Sequence, residues 1–209
     1  MNELAHHHST FQLLNQKIMK ATKVLIALFT ALLFILPTAC AQDMSMEKDR
    51  KHTISADGTI EKPENPYYSN TDKTKLDVAN SEWEKVLPED VYAIGREANT
   101  ERAFTGKYWN AAGLGTYYCA VCGNLLFRSD AKFASMCGWP SFFEQEDPES
   151  ITFHDDNAYG MKRIETKCGR CDSHLGHIFD DGPEPTGKRY CINSIVLDFV
   201  PDDPNKKAW

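Results

Sequence analysis

Short runs of β-prone residues alternate with polar turn residues over the second half of the chain. From Gly115 onward each run is a few residues long and is bounded by Gly, Asp, Asn or Pro, which is typical of strands joined by turns. The runs cover residues 116–120, 125–128, 151–154, 161–166, 177–179 and 190–200. This pattern predicts a body that is mainly β and antiparallel.

Two short helices are predicted before this β-rich region. Ser81 is followed three residues later by Glu84, which is a capping-box pattern for the start of a helix. The apolar face of this helix consists of Trp83, Val86 and Leu87. Pro88 restarts the chain, and we predict a second short helix from there to about Glu97.

The N-terminus has a different pattern, that of an export signal. Lysines at positions 17, 20 and 23 precede residues 24–36, and these 13 residues are apolar except for Thr30. A basic segment followed by such a run is typical of a signal peptide, and the run is shorter than the ~20 residues needed to cross a bilayer. Met19 is an alternative start to Met1. We therefore expect an exported protein of the bacterial cell envelope.

Two cleavage sites compete at the end of this segment. Ala39-Cys40-Ala41 fits the small-residue rule of ordinary signal peptidase and predicts a soluble periplasmic protein. Ala39-Cys40 also resembles the end of a lipobox, which predicts a lipid anchor on Cys40. Either cleavage removes or acylates Cys40 and leaves six thiols in the mature chain.

The sequence divides into four parts by composition. Residues 1–41 are the N-terminal extension with the signal, and residues 42–74, rich in charge, Ser, Asn and Pro, predict a disordered tether. One folded domain is predicted for residues 75–201, followed by a C-terminal tail at residues 202–209. The net charge of −7 argues against a nucleic-acid partner, because phosphates repel an acidic surface.

Two Cys-x-x-Cys pairs predict a metal site. They are Cys119 with Cys122, and Cys168 with Cys171. Each spacing brings two sulfurs close enough to share one tetrahedral ion, and four thiolates would leave Zn²⁺ no open position, so the predicted role is structural. Two disulfides are an alternative, because an exported chain reaches an oxidising compartment. A redox Cys-x-x-Cys is another, as is a mixed site that joins the second pair to nearby histidines.

Cys191 is the candidate nucleophile, since it lies outside both pairs and two residues after Arg189. An arginine can lower a thiol pKa, and His174 and His177, three residues apart, could point at one small group as proton donors. Cys191 also starts an apolar strand, so an inert core thiol is the alternative. Cys137 lies in a turn-rich segment and could form a disulfide with an oxidised Cys191.

Five motifs follow one another along the predicted domain. They are Cys119-x-x-Cys122-Gly, Cys137-Gly-Trp-Pro-Ser-Phe142, Cys168-x-x-Cys171, His174-Leu-Gly-His-Ile-Phe-Asp-Asp-Gly-Pro183 and Arg189-Tyr-Cys-Ile-Asn-Ser194. Together they resemble the methionine sulfoxide reductase B family, over roughly residues 75–200. The resemblance implies a mainly β fold of two antiparallel sheets, the β-tent of this family, with short N-terminal helices and a structural zinc. It also implies reduction of the R epimer of methionine sulfoxide.

The resemblance further implies a role for each site residue. Cys191 attacks the sulfoxide sulfur, while His174 and His177 help to place a proton on its oxygen. Cys137 resolves the resulting sulfenic acid as a disulfide, which a thioredoxin-like donor reduces. The substrate is free methionine sulfoxide or an oxidised protein. The supporting residues are Trp139 and Phe179 against the substrate, Arg189 and Asp181 around the thiolate, and Asn193 in the local network.

Two interpretations of other classes compete with a reductase. One is a zinc-stabilised binding module with Cys191 buried and no turnover, and the other is a secreted scaffold held by disulfides. The chain also departs from the family at Met136, where glycine is usual beside the resolving cysteine. A bulkier residue there would restrict the loop that carries Cys137.

Overall fold

Three antiparallel sheets and two short helices make up residues 53–55 and 59–206, the part of the chain that the computed structural model describes. The predicted signal segment and Cys40 lie outside these residues. A small hairpin pairs β1 (Thr53–Ile54) with β2 (Ile60–Glu61). The helices are α1 (Asn80–Val86) and α2 (Glu89–Gly95). The other strands are β3 (Gly115–Cys119), β4 (Leu125–Arg128), β5 (Lys132–Phe133), β6 (Ser141–Phe142), β7 (Ile151–Asp156), β8 (Arg163–Cys168), β9 (His174–Phe179), β10 (Arg189–Ile192) and β11 (Leu197–Pro201).

Two larger sheets carry most of these strands. One has six strands in the order β5-β6-β10-β9-β8-β7, and the other has three in the order β11-β3-β4. The predicted mainly β fold with two antiparallel sheets and short N-terminal helices is confirmed, and the β1–β2 hairpin is an addition to it. The very short strands β5 and β6 had no signal in the sequence.

The predicted strand over residues 190–200 is in fact two strands of different sheets. β10 belongs to the six-stranded sheet and β11 to the three-stranded sheet, and a 3₁₀ turn at Ser194–Val196 separates them. The apolar run is continuous because each half faces the same core. Periodicity alone therefore could not locate the change of sheet.

Aromatic side chains join the two sheets. Phe127 of β4 stacks on Phe142 of β6 with ring centroids 4.1 Å apart, and Tyr117 of β3 meets the same Phe142 edge to face at 5.1 Å. Tyr190 of β10 contacts Phe127 from the same side. All four rings are buried, so this cluster is the centre of the core beneath the strand that carries Cys191.

The two helices cover the core near the predicted positions, although the predicted capping box does not form. Ala79 is the N-cap of α1 and makes no side-chain cap, and Ser81 lies inside the helix. Trp83 of α1 and Val91 of α2 are buried. Helix position here follows burial of the apolar face more than capping. Within the described residues, no helix is long and apolar enough to cross a bilayer.

The described end of the predicted tether differs from the expectation of disorder. Ile60 and Asn65 are buried, and Tyr67 packs edge to face on Trp83 at 4.9 Å. The amide of Ser69 donates to the carbonyl oxygen of Cys122 at 3.0 Å. Residues 59–74 are thus fixed by individual contacts with the domain, which leave no periodic pattern in the sequence.

Candidate active site

Cys191 lies on the central part of the six-stranded sheet. In the register of β10 it is opposite Ser141 of β6 on one side and His177 of β9 on the other. Arg189, two residues earlier, is opposite Phe179. Because strand side chains alternate between faces, these residues share one face, while Tyr190 and Ile192 point into the core. Cys191 therefore does not point into the core, and the alternative of an inert core thiol is wrong.

A β-bulge brings the two histidines together. The pairing of β8 with β9 shifts between Thr166 and Lys167, so that Leu175 is an extra residue in β9. Three positions along a regular strand would place His174 and His177 on opposite faces. With the bulge they share a face, and their ring centroids are 5.6 Å apart.

Each histidine has its own carboxylate partner. His174 Nδ1 lies 2.7 Å from Glu165 Oε1, and His177 Nε2 lies 2.8 Å from Asp156 Oδ2. Burial lowers the pKa of His174 despite Glu165, so this ring is neutral at about pH 7. The Ala158 amide, followed by His177, lowers the pKa of Asp156 to about 2, and Arg163 also pairs with it at 2.7 Å. His177 therefore has a permanent anion on its far side.

The two thiols predicted to react are adjacent. Cys137 Sγ lies 3.4 Å from Cys191 Sγ, and the two are free thiols. Ser141 Oγ is 3.3 Å from Cys137 Sγ, and the Cys137 amide donates to Ser135 Oγ at 3.2 Å. Both cysteines are half-buried, and a disulfide between them needs only a small approach of the sulfurs.

The hydrogen bond between these two thiols shifts their pKa values in opposite directions. The hydrogen bond from Cys191 lowers the pKa of Cys137 to about 4. The same hydrogen bond and burial raise the pKa of Cys191, and Arg189 offsets only part of that rise. The expected lowering by Arg189 is therefore present but outweighed while Cys137 is in contact. The pair as a whole holds one thiolate at about pH 7.

Arg189 is fixed from two sides. Asp181 accepts hydrogen bonds from its Nε and Nη2, both at 2.8 Å, and the guanidinium lies 4.4 Å from the ring centroid of Phe179. The predicted association of Arg189 with Asp181 thus has a definite geometry. This geometry places the positive charge of Arg189 beside the two thiols, while the Asp181 carboxylate binds the guanidinium and not Cys191.

Glu101 connects the other walls of the site, and no role was predicted for it. Its carboxylate accepts hydrogen bonds from the amides of Ser194, at 2.6 Å, and Ile195, at 3.0 Å. Its backbone carbonyl accepts from Trp139 Nε1 at 3.2 Å, and its amide donates to Asn193 Oδ1 at 3.1 Å. Asn193 also donates to the carbonyl of Leu175, at the bulge, at 3.0 Å.

These residues surround a cleft of about 130 Å³. Its walls are Thr100, Trp139, Arg163, Gly176, His177, Phe179, Cys191 and Asn193. Of the predicted residues, His174 does not reach the wall and lies behind His177, while Arg189 and Asp181 lie at one side. Thr100 and Arg163 were not predicted as site residues, because a threonine or an arginine alone does not mark the wall of a cleft. With a water's share of about 30 Å³, the cleft admits the end of one side chain.

The four cysteines of the two pairs form a separate, fully buried cluster. Cys119 Sγ and Cys171 Sγ are 3.9 Å apart, Cys122 Sγ and Cys168 Sγ are 3.6 Å apart, and all four sulfurs lie within 4.8 Å of one another. Sulfurs about 2.3 Å from one tetrahedral Zn²⁺ would be about 3.8 Å apart, so the thiol set fits such an ion. The cluster is a possible metal site.

The alternatives for these cysteines receive no support. The closest contacts run between the two pairs and not within them, and no disulfide joins the six described cysteines. Among the residues of the described ranges, the metal-type cluster contains cysteines only. The mixed Cys/His site is therefore wrong, because His174 and His177 bind Glu165 and Asp156 instead.

These features are those of a mainly β protein with two adjacent free cysteines, one of them in a cleft, and a separate four-cysteine cluster. Comparison with known proteins agrees. The chain belongs to the SelR domain family, the methionine sulfoxide reductase B family, which it matches over residues 87–201.

Relatives of known name share about half of their residues with this chain. Peptide methionine sulfoxide reductase MsrB of Acinetobacter baylyi is 49% identical over 131 residues, which are 63% of this chain and 94% of the relative. The protein of the same name from Synechococcus is 52% identical over 124 residues, 59% of this chain and 91% of the relative. That from Methanosarcina mazei is 47% identical over 135 residues, 65% and 96% respectively.

Proposed function

We propose that this protein reduces the R epimer of methionine sulfoxide, free or within oxidised proteins, to methionine. The observation that carries the proposal is the pair of sulfurs 3.4 Å apart, of which that of Cys191 lines a cleft with aromatic sides. The relatives' names say that they act on peptide methionine sulfoxide. Trp139 and Phe179 offer apolar surface to the methyl and thioether groups, which suits a neutral side chain.

The first step is attack of Cys191 sulfur on the sulfoxide sulfur. As that bond begins to form, the Cys191 proton passes along the existing hydrogen bond to the Cys137 thiolate. His177, held as an imidazolium by Asp156, donates a proton to the sulfoxide oxygen and becomes a neutral imidazole. The oxygen is transferred to Cys191 as a sulfenic acid, and methionine leaves, so that sulfur of the substrate is reduced and sulfur of Cys191 is oxidised.

The second step regenerates the enzyme. Cys137, again as a thiolate, attacks the Cys191 sulfur, the S–O bond breaks, and hydroxide leaves with a proton as water. The product is a Cys137–Cys191 disulfide. A thioredoxin-like donor then attacks it with one thiol and completes the exchange with its second thiol, which oxidises the donor and restores both cysteines.

We propose that Zn²⁺ is the metal of the four-cysteine cluster. Bound there, it would cross-link residues 119–122 to residues 168–171 and supply no chemistry in the cleft. Four buried thiols with no other ligand support this, because thiolate-only tetrahedral sites suit zinc. β9 begins three residues after Cys171, so such a cross-link would fix the start of the strand with both histidines.

We also propose export to the cell envelope, with or without a lipid on Cys40. The apolar run with its preceding lysines supports this, and both lie outside the described residues. Metabolic labelling with a fatty acid, in the chain and in Cys40→Ser, would separate the two forms. Label that survives the substitution would contradict a lipid on Cys40.

The test is turnover of the separated R and S epimers of a blocked methionine sulfoxide, with dithiothreitol or thioredoxin as reductant. We expect reduction of the R form only, complete loss in Cys191→Ser with either reductant, and loss in Cys137→Ser with thioredoxin alone. Equal loss in Cys137→Ser with both reductants would remove Cys137 from the resolving step. No turnover by folded, zinc-containing protein would favour the binding module.

A further inference from the structure

Residues 62–76 run across both Cys-x-x-Cys loops, and we call this segment the strap. It precedes the part of the chain that the SelR family matches, which begins at residue 87. The sequence suggested a tether here, but the strap makes specific contacts with the backbone of both loops. Its purpose is therefore not merely to connect the domain to an anchor.

The strap satisfies three successive carbonyl groups of the first loop. The donors and acceptors are Lys62 Nζ to Ala120 (2.8 Å), Asn65 Nδ2 to Val121 (2.8 Å) and the Ser69 amide to Cys122 (3.0 Å). All three acceptor residues are buried. Without the strap the carbonyls of Ala120 and Val121 would lose these donors, and the carbonyl of Cys122 would keep only the Arg170 guanidinium.

Arg170, in the second loop, binds the strap from the other side. It is 4% exposed, and its guanidinium donates to the carbonyls of Tyr67 and Thr74, both at 3.1 Å, and to that of Cys122. The amide of Leu76 donates back to the carbonyl of Arg170 at 2.8 Å. The Arg170 side chain thus joins both Cys-x-x-Cys loops to the strap.

Three further contacts hold the strap against the domain, one at the first loop and two at β11. Gly123, with φ of +82°, closes that loop, and a Cβ there would lie 2.5 Å from the carbonyl oxygen of Ser69. Lys62 Nζ lies 2.7 Å from Asp198, and Tyr68 donates to the same carboxylate at 2.9 Å. Asp198 is almost fully buried, so this ion pair fixes the beginning of the strap to β11.

We propose that the strap is a metal-retention element, which slows the release of the ion held by the four cysteines. Release of an ion from four buried sulfurs requires the two loops to separate, so that water or a competing ligand can enter. The loops cannot separate while the strap and Arg170 hydrogen-bond to the backbone of both. The proposal rests on the metal assignment and concerns the lifetime of the metal complex rather than the reduction of methionine sulfoxide.

The experiment measures the rate of zinc transfer from the zinc-loaded full chain to an excess of a colorimetric chelator. Asn65→Leu removes the donor to Val121 with little change in volume. Asn65→Asp also removes that donor but keeps the oxygen that accepts from the Tyr67 amide at 3.1 Å. Lys73→Met is the matched control, since its exposed side chain pairs with Asp147, which belongs to neither loop. Phe142→Leu lowers overall stability at the aromatic core without touching the strap.

We expect zinc release about three to ten times faster in both Asn65 variants, as loss of one buried hydrogen bond predicts. Lys73→Met and Phe142→Leu should release zinc at the original rate. Equal rates in the Asn65 variants and the original chain would overturn the proposal, as would equally fast release from Phe142→Leu. A folded chain that retains no zinc would overturn the metal assignment and the strap's role together. Turnover with dithiothreitol, measured in parallel, tests the proposed reductase separately.

Discussion

Removal of the Cys191 thiol should change the ionisation of Cys137. The hydrogen bond from Cys191 is the largest cause of the Cys137 pKa of about 4. In Cys191→Ala no donor replaces it, and the Cys137 pKa should rise toward the ordinary thiol range. In Cys191→Ser a hydroxyl remains at the same position and can still donate, so the rise should be much smaller. The two variants differ in one donor and little else.

The size of the effect follows from the two pKa values. At about pH 7 a thiol with a pKa of about 4 is about 99.9% thiolate, whereas one with the ordinary pKa of about 8.5 is about 3% thiolate. Because the thiolate is the reactive form, alkylation of Cys137 should change from nearly independent of pH to strongly dependent on it.

The assay is the pH dependence of iodoacetamide alkylation, with the modified residue identified by mass spectrometry. The four cysteines of the metal-type cluster are buried and serve as an internal reference. An equally low Cys137 pKa in the alanine and serine variants would refute the effect assigned to the Cys191 hydrogen bond. A thiolate found on Cys191 rather than Cys137 in the unsubstituted protein would reverse the direction of the proposed proton transfer.

Three other results are expected. Glu101→Gln should lower the free energy of unfolding by about 2 kcal/mol in urea, because the Glu101 carboxylate accepts hydrogen bonds from two backbone amides. It should also lower kcat/KM, and unchanged turnover would show that Trp139 and Asn193 do not need Glu101. Lys62→Met should cost about 3 kcal/mol in urea unfolding by breaking a buried ion pair, and a loss below about 1 kcal/mol would contradict that burial. The pKa of His174 lies below its ordinary 6.5, so the stability that the neutral ring contributes is present above about pH 6.5 and is lost as the pH falls, because the unfolded ring takes up a proton first. His174→Gln should make the free energy of unfolding less dependent on pH in this range, and an unchanged pH dependence would show that other groups cause it.

Elements with local signals were predictable from the sequence. Strand periodicity follows from side-chain alternation within a few residues, so most strands of the two sheets were predicted within two or three positions. The Cys-x-x-Cys spacing likewise brings two sulfurs together within one turn of chain, so four cysteines could be assigned to one cluster. Cys191 and Cys137 were recognisable as reactive through motifs that are contiguous in sequence.

Contacts between residues that are far apart in sequence were not predictable, because they depend on how the whole chain folds. The contact of Cys137 with Cys191 depends on the pairing of β6 with β10, and β6 is only two residues long. The common face of His174 and His177 depends on the bulge at Leu175, since a regular strand would separate them. Glu101, Asp156 and the strap act through individual hydrogen bonds to backbone or side-chain groups that are distant in sequence. Such contacts are selected by packing, which no short segment of sequence encodes.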